Sequence, residues 1–98
     1  MLNSANTNNY NNRESKLNYY LLIKHEGVEL SMSEFLYYKF IIAAYNETQA
    51  RDLAQGADQQ KNSILESFWT DSNKTKCELV GFPLIRSGDP YILSESFT

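Results

Sequence analysis

Residues 37–56, YYKFIIAAYNETQARDLAQG, run a strand into a helix without a gap, and the fold follows from how that junction is read. In 37–44 apolar residues occupy both parities, as in a central strand covered on both faces. Asn46 breaks the run. Asn is a favoured N-cap, Gln49 three residues later completes a capping box, and Ala50, Leu53, Ala54 and Ala57 fall on one helical face. Gly56 is the predicted stop.

Upstream, residues 17–24 alternate, with Leu17, Tyr19, Leu21 and Ile23 on one face and Asn18, Tyr20, Leu22 and Lys24 on the other, which predicts a first strand. His25, Glu26 and Gly27 turn the chain, and 28–35 reads as a loop with one helical turn begun by Ser31 and Glu34. A fold-back there makes the first two strands an antiparallel hairpin. Residues 1–16 hold six Asn and only Leu2 and Tyr10 as sizeable apolar groups. That is too little burial to offset ordering, so a flexible tail precedes a single domain at 17–98.

Downstream, 57–62 is polar and reads as a loop, and Ser63 with Glu66 suggests a short second helix carrying Ile64, Leu65, Phe68 and Trp69. Residues 70–74 read as a turn. Cys77 and Leu79 alternate with Glu78 and Val80 in a third strand that ends at Gly81 and Pro83. Ser87, Gly88, Asp89 and Pro90 are turn residues, and the last strand, 91–97, is predicted to pair with the third. The fold class is α+β: a small, mostly antiparallel four-stranded sheet with one main helix and one short helix on one face. One short helix cannot cover both faces of such a sheet, so Tyr20, Tyr37, Ile41, Tyr45 and Tyr91 are expected on an open face. Self-association follows, with Tyr19, Tyr20, Tyr37, Ile41 and Tyr45 as the interface.

Ninety-eight residues with 42% hydrophobic content make one modest core. The formal charge of -3 argues against nucleic acid as partner, and the apolar runs are too short to span a bilayer. One cysteine and no secretory signal predict a cytoplasmic protein.

The ordered part resembles a group of short proteins common in bacteriophages and their hosts. In that group an opening strand with Tyr-Leu, a strand ending in Ala-Ala, a helix with Glu, Ala and Arg, a strand close to Glu-Leu-Ile-Gly and a closing Ile-Leu-Ala-Ser-Phe follow one another. Here these stand as Tyr20-Leu21, Ala43-Ala44, Glu47 with Ala50-Arg51, Glu78-Leu79-Val80-Gly81, and Ile92-Leu93-Ser94-Glu95-Ser96-Phe97, the last with one extra residue. The resemblance implies a phage or mobile-element origin, hence the cytoplasm of an infected bacterial host, and it brings no catalytic residues.

No residue set points to catalysis, a metal or a cofactor. His25 is the only histidine, and zinc or general-base chemistry needs further ligands at helical spacing. Cys77 reads as a small core residue, and Asp58, Glu66, Glu26 and Glu29 as solvated carboxylates. Two sequons, Asn46-Glu47-Thr48 and Asn73-Lys74-Thr75, lack the secretory context that would use them.

Seven Tyr, five Phe and one Trp are many for a small acidic chain, and such rings suit protein interfaces and pockets for planar bases. Arg86, Ser87 and Gly88 combine a guanidinium with a loop able to hold an anion, and they are equally the residues of a plain hairpin turn. The sequence reading is therefore a non-enzymatic, phage-type anti-defence protein: a homo-oligomeric sponge that sequesters a nucleotide-like immune signal. Its ligand site is expected at Trp69, Arg86, Ser87, Gly88 and Tyr91. The competing reading is an inhibitor that binds a host defence complex through an acidic, tyrosine-rich surface, as anti-CRISPR proteins do.

Overall fold

The computed structural model describes residues 15–26, 37–62 and 67–97. They form β1 (Asn18–Lys24), β2 (Tyr37–Ala44), α1 (Glu47–Asn62), β3 (Thr75–Gly81) and β4 (Tyr91–Phe97). The α+β class holds: among the described residues one antiparallel sheet of four strands carries one helix. Alternation along β1 explains its packing, since every second side chain turns to the helix. Leu22 of β1, Phe40, Ile42 and Ala44 of β2, and Ala50 and Ala54 of α1 share one buried cluster with Phe68 and Trp69.

The junction between β2 and α1 forms as its sequence dictates. The Gln49 backbone N–H donates to Asn46 Oδ1 at 2.8 Å, which caps the helix. The Gln49 side chain reaches back one residue further than a standard capping box, accepting from the Tyr45 N–H at 2.8 Å. Ala50, Leu53, Ala54 and Ala57 are the face that meets the sheet, and the small alanines let the two layers approach closely.

Three expectations are corrected here. The helix runs through Gly56 to Asn62, so neither the stop at Gly56 nor the loop at 57–62 exists. A glycine inside a helix costs only about 1 kcal/mol, and contacts on either side outweigh it. Gln55 Oε1 accepts from the backbone N–H groups of Phe68 and Trp69, and Asp58 accepts from the Trp69 indole at 2.7 Å. The short second helix is absent among the described residues: Phe68 lies in irregular chain and Trp69 in a turn. Residues 63–66, which would have begun it, lie outside the described residues, as do 1–14 of the tail and the connection at 27–36.

The third correction concerns pairing. β1 and β2 pair antiparallel, with Leu22 opposite Phe40, as the hairpin reading requires. β3 joins β1 and β4 joins β2, giving the sheet order β3-β1-β2-β4. The last two strands therefore lie on opposite edges. Residues 82–90 are not a hairpin turn but a connection that crosses one end of the sheet, past the start of β1 and the end of β2. Leu17 and Arg86 exchange contacts there, Leu17 N–H to the Arg86 carbonyl at 2.9 Å and Arg86 Nε to the Leu17 carbonyl at 3.1 Å. Tyr45 Oη donates to the Gly88 carbonyl at 2.7 Å. Gly88 has φ of 109°, a conformation that only glycine adopts without strain.

Candidate interaction surface

The expected ligand residues do not converge. Trp69 is fully buried. Phe40 meets its ring edge to face at 4.9 Å between centroids, Phe68 does so at 5.1 Å, and Asp58 takes its N–H. A ring with no accessible surface offers no stacking platform, so the structure places Trp69 in the core. Asp58, expected in solvent, is fully buried against it.

Arg86 does sit beside Ser87, at a shallow open hollow of about 340 Å³ lined also by Ser15, Lys16 and Leu84. Its guanidinium is already engaged. Nε donates to the Leu17 carbonyl, Nη2 donates to Asn18 Oδ1 at 2.5 Å, and the plane lies 4.1 Å over the Phe82 ring. The first two contacts pin the crossing connection to the start of β1, and the third lies within the connection. Gly88 holds the same connection to Tyr45, and Tyr91, 40% exposed, begins β4 beyond it.

The tyrosines expected on the open face are also divided. Tyr20 packs against the helix-side core, opposite to expectation, because it shares its strand face with Leu22. Tyr19 and Ile41 lie on the other face, with Tyr19 opposite Ala43 and Ile41 opposite Leu21. Tyr19 and Tyr91 share a hydrogen bond between hydroxyls at 3.3 Å, and that bond is the first cause of a raised Tyr19 pKa. Tyr45 is half-buried at the crossing, and the side chain of Tyr37 lies outside the described residues. This second face is less open than one helix would leave it: Ala43 is fully buried and Tyr19, Leu21, Ile23 and Ile41 are half-buried.

Most of the exposed apolar side chains lie elsewhere, apart from Leu93 at 51% and Tyr91 at 40% on β4. Leu79 is 63% exposed, Val80 53%, Phe82 60%, Leu84 101% and Ile85 74%, five large hydrophobic side chains within seven residues. They occupy the end of β3 and the start of the crossing connection, while Pro83 between them is buried. Scattered exposed hydrophobics are ordinary, and five within seven residues make this stretch the candidate contact surface. Sequence reading missed it by treating 81–83 as punctuation. The signal was there in LVGFPLI, seven residues without one polar side chain where a solvated loop would carry several.

Cys77 is half-buried on β3 and packs against the core cluster. Burial first, then the Glu47 carboxylate, push its thiol up to about 11, so it stays protonated and unreactive at neutral pH. Among the described residues no group of three metal-ligating side chains gathers, and no helix is long and apolar enough to cross a membrane. Comparison of the chain with protein-family models, with curated proteins and with solved structures finds no match.

Proposed function

We propose that this chain is a non-enzymatic protein-binding module that docks a partner protein on the apolar run at 79–85. The observation that carries the reading is the exposure of Leu84 and Ile85 beside Phe82, on a connection held rigid by Arg86 and Tyr45. Apolar side chains carried on a backbone already tied down cost less ordering entropy on contact than those on a free loop. The phage-type resemblance makes a host defence complex the partner class, and occlusion of that complex the mode of action.

The test is retention of a host protein by the immobilised chain, compared with the Leu84→Asp/Ile85→Asp variant. A protein held by the wild type and then shown, once purified, to bind it calorimetrically and not the variant supports the reading. Equal binding to both overturns it.

A second reading, the nucleotide sponge, is supported by Lys16 and Arg86 flanking the hollow with two serine hydroxyls. Calorimetry with cyclic dinucleotides and ADP-ribose separates it from the first, since heat lost in Arg86→Ala favours the sponge.

A further inference from the structure

The apolar run and the hollow beside it are one surface, because Leu84 belongs to both. The hollow holds about 340 Å³ and opens widely to solvent. A pocket that selects a small molecule buries most of its ligand, which a shallow depression does not do. Its charged groups are Lys16 and Arg86. Residues 15–18 and 79–88 carry those two cations and no carboxylate, in a chain with 12 acidic and 9 basic residues. Among the described residues the nearest carboxylates along the chain are Glu78, 3.8 Å from Lys76, and Asp89.

The contacts that hold Arg86 also prepare it to meet an anion. Nε and Nη2 are taken by the Leu17 carbonyl and Asn18 Oδ1, and Phe82 covers one face of the guanidinium. Nη1 has no partner among the described residues. A guanidinium already fixed gives up little side-chain freedom when an anion meets its remaining N–H groups. Lys16 is exposed, and its side chain makes no hydrogen bond or ion pair among the described residues.

We propose that the occupant of this surface is an acidic, apolar segment of a partner protein. Its apolar side chains lie on Phe82, Leu84 and Ile85, and a carboxylate next to them enters the hollow between Lys16 and Arg86 Nη1. Charge complementarity selects this chemistry. A purely apolar segment leaves two cations without counter-charge beside it, and a basic segment meets like charge. A nucleotide held in the hollow leaves Ile85 and Phe82 uncovered. The apolar contacts supply most of the affinity, and the carboxylate fixes direction and register. The inference rests on the reading of 79–85 as a docking surface and adds what the partner must carry.

The experiment is selection of displayed random peptides on the immobilised full chain. Calorimetry then follows, with the selected peptides made synthetically and tested against wild type and variants. The selected peptides are expected to combine Leu, Ile, Phe or Trp with Asp or Glu. Leu84→Asp/Ile85→Asp is expected to abolish binding, and Lys16→Glu to weaken it about tenfold, with Lys16→Ala between. All three positions are exposed, so the variants keep the wild-type thermal midpoint. Raising salt from about 50 to about 500 mM is expected to bring the wild type closer to Lys16→Glu. Selected peptides that are apolar without acids, or basic, overturn the inference, and so does binding that Lys16→Glu leaves unchanged. Docking on 79–85 survives either result as long as Leu84→Asp/Ile85→Asp still abolishes it. Failure to select any peptide also overturns the inference. So does capture of phosphatidylcholine vesicles with roughly one quarter phosphatidylserine that Leu84→Asp/Ile85→Asp loses, which makes a lipid surface the occupant.

Discussion

Arg51 is 7% exposed and bonds in three directions from one guanidinium: Nε to Glu47, Nη1 to the Trp69 carbonyl and Thr75 Oγ1, and Nη2 to the Thr75 carbonyl. It joins the first turn of α1 to the chain entering β3. Lysine carries the charge but a single nitrogen, so Arg51→Lys leaves part of this set unserved and is expected to cost about 2 kcal/mol in urea denaturation. A midpoint equal to wild type would show that solvent replaces those bonds freely. Cys77 gives the pH prediction. With the folded thiol at about 11 against an ordinary 9.0, the unfolded chain loses its proton first as pH rises. The Cys77 contribution is therefore constant below about pH 9 and falls between there and 11; Cys77→Ser removes that part of the fall and leaves the part that the raised Tyr19 pKa adds above 10.0. A thermal midpoint that declines equally in both proteins contradicts this assignment. Apart from the i,i+4 pair of Glu47 with Arg51, these contacts were not legible beforehand, because Arg51, Asp58 and Trp69 meet through the fold and not through spacing.

At the scale of elements, what could be read was local. The start of α1, the extent of β2 and the extent of β4 follow from a cap, a run of apolar residues and a turn that adjoin in sequence. Gly56 misled because its backbone preference is weak beside the hydrogen bonds of Gln55 and Asp58, which come from 13 and 11 residues away. This has a testable form. A Cβ added at Gly56 meets nothing within 4 Å, and the residue is helical, so Gly56→Ala is expected to stabilise the protein by roughly 0.5–1 kcal/mol. Had Gly56 ended the helix in a left-handed conformation, the same change would destabilise. Asn46→Ala, at the other end, is expected to cost about 1 kcal/mol through loss of the bond to Gln49 N–H, read in the same thermal or urea titration. Pairing of β3 with β4 failed for a related reason. Strands adjacent in sequence are neighbours only about two-thirds of the time, and nothing in residues 82–90 says whether they turn back or cross. The candidate surface was hidden by the same choice, since a hairpin turn would have left 82–85 little to explain.

For the whole molecule, the order β3-β1-β2-β4 sets a sequence of assembly. Both outer strands are the later ones in the chain, and each has only an inner strand to zip onto. β3 takes β1 as its template and β4 takes β2, and neither outer strand can help the other. Loss of order should run in reverse, from the margins inward. Native-state hydrogen exchange checks this: amides bonded between β1 and β2, such as those near Leu22 and Phe40, are expected to exchange only on global unfolding. Amides of β4 should exchange by smaller openings. Equal protection on all four strands would mean that the sheet opens as one unit. Because 82–90 is tied to β1 by Arg86 and to β2 by Tyr45, a frayed β3 or β4 stays tethered at one end and has a short way to return. The crossing thus converts the detachment of a margin from an escape into a local, quickly reversed excursion.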